Sequence, residues 1–204
     1  MLENKSALGA HSWAEVIETG AQGSQPLAMV ATALRQAQIE REEIECLAIG
    51  IGPGSYNGIR CAIALAQGWQ LGRGVRLLGV SSADVLAAQA HAQGLAGPVA
   101  VVIDAQRNEL YVATYHLEAH GFTQTTPLRL APLADVQELA RTGLPLLGPE
   151  ITRWFPSARL LFPRASTLGH LAVGRTDYVP GEKLTPIYLR ETNFVKAPPR
   201  RTIP

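Results

Sequence analysis

The sequence has little of what disulfide-bonded, metal-binding or nucleic-acid-binding proteins need. Its 204 residues include two cysteines, Cys46 and Cys61, which cannot form a disulfide framework. We expect both to be buried thiols in a reducing compartment. No Cys-x-x-Cys pair occurs, and we predict no metal site. The net charge is +1, so no basic field covers the molecule and strong direct binding to nucleic acid is not indicated.

Long apolar runs are also missing. No stretch of eighteen apolar residues occurs, and no basic segment followed by an apolar core opens the sequence. We therefore expect a cytosolic protein without a membrane partner. What the sequence does contain is 47% hydrophobic and 17% charged residues, which is typical of a well-buried globular protein with one or two domains.

The most informative stretch is an apolar strand joined to an apolar helix by a glycine-rich loop. Residues 47–51 offer no polar side chain on either face, which predicts a central strand over 45–51 that is covered on both sides. The helix predicted over 57–71 carries few strongly polar side chains. An ordinary surface helix keeps a wide polar face, so this one should be covered on more than one side.

Helical spacing divides this predicted helix into two apolar faces. One face can lie on the sheet, whereas the other has small residues that would let a second helix approach closely. Two interpretations of the second face stay open: another helix of the same chain covers it, or it is a protein interface. The first face holds Ile59, Ile63, Ala66 and either Trp69 or Gln70, and the second holds Cys61, Ala64, Leu65 and Gly68.

The loop between strand and helix has the composition of a tight structural turn. Its glycines permit backbone angles that side chains disfavour, and Ser55 or Asn57 can cap the helix. The Walker pattern needs Gly-Lys-Ser/Thr where this chain has Gly58-Ile-Arg, and the dinucleotide pattern lacks its third glycine or alanine. We therefore predict no bound cofactor. The loop residues with a structural role are Gly52, Pro53, Gly54, Ser55 and Gly58.

The remaining chain alternates helix and strand patterns. Apolar residues recur at helical spacing over 26–38, and this helix is predicted to lie beside the one that follows the glycine loop. A strand over 76–80 leads to Ser81 or Ser82 as the cap of a helix over 83–93. Further predicted elements are strands over 99–104, 110–117, 144–147 and 160–162 and helices over 135–141 and 167–173.

Four motifs in this order resemble those of the bacterial TsaB (YeaZ) family. That family reads GPGS-F/Y-T-G-L/I/V-R, then a small-residue helix, then P-V-V-G-V-S-S/T-L; this chain has GPGSYNGIR at 52–60 and LLGVSS at 77–82. The family's I-D-A-R-x-x-E-V-Y and P-x-Y-L-R are similar to VIDAQRNELY at 102–111 and PIYLR at 186–190.

The resemblance implies an α/β fold of the actin/Hsp70-like (ribonuclease H-like) kind, with two lobes and no catalytic residue of its own. It implies a non-catalytic scaffold or activating partner of TsaD in forming the N6-threonylcarbamoyl group on adenosine 37 of tRNAs that read ANN codons. Expected partners are a TsaD-like protein, a TsaE-like ATPase and, in isolation, a second copy, with tRNA contacted only indirectly. The expected interface residues are Leu27, Val30, Leu34, Asn57, Arg60, Cys61, Ala64, Leu65 and Gly68.

The same resemblance divides the chain into three segments. We expect a first actin-like lobe with the association helices over 1–96, a second α/β lobe over 97–189 and a mobile basic tail over 190–204. Family members begin with two strands that precede a segment similar to residues 6–13, and that segment would form a third strand. The first lobe is therefore expected to be N-terminally truncated, with a sheet edge where those strands would pair.

Two other functions stay open. One is a nucleotide-dependent transferase of the same fold that uses Asp104, Glu109 and the glycine loop. The other interpretation of Asp104, Arg107 and Glu109 is a solvated charged turn. A third function is a self-associating homodimer that has lost its partner.

Overall fold

The computed structural model describes residues 13–18 and 25–190, which form a mixed α/β fold with two sheets. The strands are β1 (Cys46–Gly50), β2 (Arg76–Val80), β3 (Gly97–Asp104), β4 (Glu109–Glu118), β5 (Gly121–Pro132), β6 (Leu146–Gly148) and β7 (Arg159–Leu160). The helices are α1 (Pro26–Ala37), α2 (Tyr56–Arg73), α3 (Ser82–Ala92), α4 (Leu133–Arg141) and α5 (Ala165–Ala172).

The two sheets differ in size and direction. β1 and β2 pair in parallel, whereas the larger sheet has the order β5-β4-β3-β6-β7 and mixes antiparallel with parallel pairs. α3 follows β2 and packs against β3, β4 and β5, and α5 contacts β1, β2 and α3. These two helices therefore join the smaller sheet to the larger one.

β1 is covered on both faces by α2 and α5, as its composition predicts, but within the described residues it is not a central strand. All five of its residues are only partly buried, and within the part of the chain that the structure describes it pairs with β2 alone. Beside β1 lies a groove of about 720 Å³ that α5 and the chain after it also line. The strand predicted over 6–13 lies outside the described residues except for Trp13, which is not in a strand.

The prediction of two buried thiols is also wrong. Cys61 lies exposed on α2, because it belongs to the helix face that points away from the sheet. Cys46 is partly buried in β1, where burial raises the pKa of its thiol above the ordinary value.

The larger sheet confirms the hairpin predicted from the sequence. β3 and β4 pair antiparallel from Gly97 with Leu117 to Asp104 with Leu110. The partner of β4 on the other side is β5, a twelve-residue edge strand that the sequence analysis does not predict. Its residues over 123–127 are exposed and include Pro127, which an edge strand tolerates because its outer amides need no partner.

The C-terminal described segment connects both lobes. The Val179 amide donates to the Leu77 carbonyl of β2 at 2.9 Å, and the Ile187 amide donates to the Ile51 carbonyl at 2.9 Å. Farther on, the Arg190 guanidinium donates to the Ala105 carbonyl at 2.9 Å in the turn between β3 and β4. This segment therefore runs from the smaller sheet to the rim of the larger one. The predicted basic tail beyond residue 190 lies outside the described residues.

Candidate docking face and interlobe cleft

The glycine loop places the start of α2 and caps it. The Ser55 hydroxyl accepts from the Gly58 amide at 3.3 Å, so Ser55 rather than Asn57 is the cap. Gly52 has φ +98°, and a Cβ there would lie 2.9 Å from the Ile59 side chain, so this position requires glycine. Gly54 does not require glycine, because its φ is not in the left-handed region and a Cβ there would lie 3.9 Å from the Ile59 side chain, an ordinary van der Waals distance. The prediction of special backbone angles is thus confirmed for Gly52 and wrong for Gly54.

The first face of α2 is buried, as its spacing predicts. Ile63 and Ala66 are buried against the smaller sheet with Leu77 and Leu184, and Ile59 and Trp69 pack around them.

The second face of α2 is left uncovered within the described residues. Asn57, Arg60, Cys61, Ala64 and Gly68 are exposed, and Leu65 is partly exposed. A Cβ added at Gly68 would meet nothing within 4 Å. We call this surface the docking face; it consists of Asn57, Arg60, Cys61, Ala64, Leu65, Gly68 and Leu71.

Part of the polarity of α2 is inverted relative to an ordinary surface helix, although Asn57, Arg60 and Arg73 remain exposed. Its two glutamines turn inward, where the Gln67 amide donates to the Gly181 carbonyl at 2.7 Å and Gln70 accepts from the Gly181 amide at 2.6 Å. Meanwhile Leu71 is 89% exposed on the outer side. Because a surface helix normally turns its polar side chains to water, the outer face of α2 has the composition of a surface that another molecule covers.

The expected pairing of α1 with α2 is not found. α1 covers the predicted helix range, but it does not pack along α2. Of its expected interface residues, Leu27 is exposed and Val30 and Leu34 are partly buried. α1 therefore presents apolar residues near the molecular surface without forming one continuous face with α2.

A cleft of about 1840 Å³ lies between the two lobes. Each of the four sequence motifs contributes to its walls, through Gly54 in the glycine loop, Ser82 at the start of α3, Asp104 at the end of β3 and Tyr188 in the C-terminal segment. Each motif is recognisable in the sequence by itself. Their spacing along the chain, however, did not indicate that they meet in one cleft.

The charged turn between β3 and β4 is held by ion pairs. The Asp104 carboxylate accepts from the Gln106 amide at 2.7 Å and lies 3.6 Å from the Arg153 guanidinium. Glu109 pairs with Arg190. Since both carboxylates are engaged by arginines, their geometry favours a structural role over acid–base chemistry.

Among the described residues, neither a metal centre nor a membrane span is evident. His116 and His120 are spaced four residues apart, but one lies on β4 and the other in the turn after it. The described residues contain no cluster of three or more histidine, cysteine, aspartate or glutamate side chains that could hold a metal ion. None of the helices in residues 25–190 is both long and apolar enough to cross a bilayer.

The layered α/β lobes and the cleft between them define a protein of the actin-like (ribonuclease H-like) fold class. A crystal structure from Pseudomonas aeruginosa, described as an uncharacterized protein with similarity to peptidase YEAZ, superposes with a TM-score of 0.67 at 27% identity, covering 80% of this chain and 82% of that one. A second structure, YeaZ from the same organism, gives a TM-score of 0.65 at 26% identity, with the same coverage.

Sequence comparison identifies the family within that class. The Escherichia coli (strain K12) tRNA threonylcarbamoyladenosine biosynthesis protein TsaB is 30% identical over 183 residues, which cover 80% of this chain and 78% of that protein. The Buchnera aphidicola protein of the same name is 25% identical and covers 81% of both chains. Residues 24–178 also match the family model described as TsaD, tRNA N6-adenosine threonylcarbamoyltransferase. The chain therefore belongs to the TsaB (YeaZ) family.

Proposed function

We propose that this protein acts in the biosynthesis of threonylcarbamoyladenosine in tRNA, as a non-catalytic scaffold that docks on a TsaD-like protein through the exposed side of α2. The modification is N6-threonylcarbamoylation of adenosine 37 in tRNAs that read ANN codons. A TsaE-like ATPase is a further proposed partner, and tRNA contacts this chain only indirectly. The observation that carries the proposal is the small and apolar part of α2 that is exposed, at Cys61, Ala64, Gly68 and Leu71, while Gln67 and Gln70 turn inward.

The match to the TsaD family model supports the choice of partner. Residues 24–178 match that model, so a TsaD-like protein is expected to contain an equivalent of α2. A surface that pairs with its own copy about a twofold axis can also pair with the equivalent surface of a homologous chain. We therefore infer that the same docking face forms a homodimer in isolation and a heterodimer with the TsaD-like protein.

The residues of the docking face fit a close helix contact. Cys61, Ala64 and Gly68 are small and exposed, so the backbone of a facing helix can approach α2 closely. No acidic side chain occurs anywhere in α2, and Arg73 is engaged with Glu42 at 3.1 Å, which leaves Arg60 as the charge on this face. An apolar centre with one charge near its end is typical of an interface core and rim.

Charge placed on this face tests the proposal. Ala64→Glu and Gly68→Arg should each weaken association with the TsaD-like protein by about a hundredfold or more, because an unpaired charge would be buried in the contact. The measurement is size exclusion with light scattering, followed by titration calorimetry with the TsaD-like protein of the same organism.

Ala134→Glu is the matched control, because Ala134 is also an exposed helical alanine but lies on α4 in the second lobe. It should bind like the wild type. Normal binding by both Ala64→Glu and Gly68→Arg would contradict the proposal.

A further inference from the structure

A cluster of three exposed side chains lies where the N-terminal end of the docking face meets the mouth of the interlobe cleft, which all three also line. Tyr56 and Arg60 belong to the first turns of α2, and Tyr188 reaches them from the C-terminal segment. The two tyrosine rings are 6.1 Å apart between centroids, and the Arg60 guanidinium lies 5.1 Å from the centre of the Tyr56 ring. Arg60 also donates to the Tyr56 hydroxyl and interacts with Tyr188.

This cluster remains largely open to solvent. Tyr56 is 58% exposed and Tyr188 is 54% exposed, although each carries a large apolar ring. In the described part of the chain, Arg60 forms no ion pair with any carboxylate. Tyrosine and arginine are the residues that most often dominate binding energy at protein interfaces.

Tyr188 is positioned from both lobes. The amide of its neighbour Ile187 donates to the carbonyl of Ile51, the residue that follows β1 of the smaller sheet, at 2.9 Å. Two residues after Tyr188, Arg190 pairs with Glu109 and donates to the Ala105 carbonyl of the turn after β3. The chain is therefore held on both sides of Tyr188, which places its ring beside Tyr56 of α2.

We propose that Tyr188, which Arg190 and Glu109 position, completes the docking face, and that Tyr56, Arg60 and Tyr188 together anchor the partner. This inference rests on the proposed function and names a part of the contact that lies outside α2. The partner is the TsaD-like protein, which presents an apolar helix to Ala64 and Gly68 and an acidic side chain to Arg60. A carboxylate there would meet a guanidinium that, among the described residues, contacts the phenol groups of Tyr56 and Tyr188 and pairs with no carboxylate.

The first test removes the Tyr188 ring. Tyr188→Ala should bind the TsaD-like protein about tenfold or more weakly in calorimetry, whereas Tyr188→Phe, which keeps the ring, should stay within about threefold of the wild type. Tyr178→Ala is the matched control, because Tyr178 also packs with an arginine, Arg76, at 4.9 Å but lies outside the cluster. It should bind normally.

The second test examines the positioning role of Arg190. Arg190→Ala should weaken binding, yet it should add no further loss in a chain that already carries Tyr188→Ala, since it acts through that ring. Independent, additive losses would contradict the positioning role. Binding by the wild type should also fall as salt is raised, and Arg60→Ala should remove most of that dependence.

The outcomes separate this inference from the function on which it rests. If Ala64→Glu loses binding while Tyr188→Ala binds like the wild type, the role of Tyr188 as an anchor is wrong and the proposed docking through α2 is kept. Wild-type binding in both variants would overturn both. Thermal unfolding of each variant, followed by circular dichroism, establishes that lost binding does not reflect an unfolded chain.

Discussion

α2 and α3 begin in the same way and differ in how much of each is buried. Each follows a strand of the small parallel sheet, each starts at a serine cap, and each carries few charged side chains. Six residues of α3 are buried, because the larger sheet lies on one side of it and α5 on another. Only Ile63 and Ala66 of α2 are buried, since within the described residues nothing covers its outer face.

The difference shows what apolar composition can and cannot say about a helix. For α2, composition predicts cover on more than one side, and the few charged side chains of α3 have the same consequence. For α3 the chain itself supplies that cover. For α2 the chain instead uses the two glutamines to bind the C-terminal segment, which leaves small apolar residues facing outward. We therefore propose that another molecule covers α2.

The largest effect is expected from a glutamate placed on each helix. Ala87→Glu, at a fully buried position of α3, should lower the free energy of unfolding by about 4 kcal/mol or more, because a charge would be buried without a partner. Ala64→Glu, on the exposed face of α2, should change the unfolding free energy of the monomer by less than about 0.5 kcal/mol when both chains are compared at a protein concentration too low for the homodimer to form. Urea unfolding followed by circular dichroism measures both. Equal destabilisation would mean that the chain itself covers α2.

The next effect concerns the hydrogen bond that ties α3 to the larger sheet. The Tyr115 hydroxyl donates to the Asp84 carboxylate at 2.8 Å, and burial, then the nearby carboxylate, raise the pKa of Tyr115 far above its ordinary value. The hydroxyl therefore stays protonated and donates. Tyr115→Phe should lower the free energy of unfolding by about 1–3 kcal/mol in the same urea assay. Tyr178→Phe, at a surface tyrosine, should have almost no effect.

The cover of α3 also depends on α5, whose first turn is held by Glu15. The Glu15 carboxylate accepts from the Ser166 amide at 3.0 Å and pairs with Arg164, and the Arg164 hydrogen bond, more than any other contact, lowers its pKa to about 2. The contribution of the Glu15 carboxylate to the stability of the folded chain is therefore complete above its ordinary pKa of 4.5 and is lost as the pH falls through about 2.

Comparison of the wild type with Glu15→Gln measures this effect. The difference between their unfolding free energies should shrink by about 1–2 kcal/mol from pH 5 to pH 2, after allowance for the solvent exposure of Arg164. A difference that does not change with pH would show that Glu15 does not hold α5.

The smallest effect compares the two serine caps. Ser81 is partly buried and accepts from the Ala83 amide at 3.2 Å, whereas Ser55 is exposed and accepts from the Gly58 amide at 3.3 Å. Ser81→Ala should cost about 1–2 kcal/mol of unfolding free energy and Ser55→Ala about 0.5–1 kcal/mol. Guanidinium unfolding measures both, and the reverse order would contradict the contrast between the covered and the uncovered helix.

Local patterns predicted much of this fold. The strand, glycine loop and helix around residues 46–73 follow from apolar runs and a serine cap, and the bounds of β2 match the prediction residue for residue. The hairpin of β3 and β4 follows from two apolar runs around a polar turn. In each case the neighbours that define the element are close in sequence.

What the sequence analysis missed depends on distant neighbours. β5 lacks apolar alternation because it is an edge strand, so only its pairing with β4 defines it. The exposure of Cys61 depends on which side of α2 meets the sheet. The inward turn of Gln67 and Gln70 could not be predicted, because their partner is Gly181, more than a hundred residues away. The sequence did hold one signal for this arrangement, because helical spacing places Gln67 and Gln70 of α2 on the same face.

The most direct test of the docking face is the mass of the protein in solution, alone and mixed with the TsaD-like protein of the same organism. We predict that size exclusion with light scattering will find a homodimer that exchanges into a one-to-one complex, and that Ala64→Glu will be a folded monomer that forms neither. A wild-type chain that stays monomeric and ignores the TsaD-like protein would contradict the account.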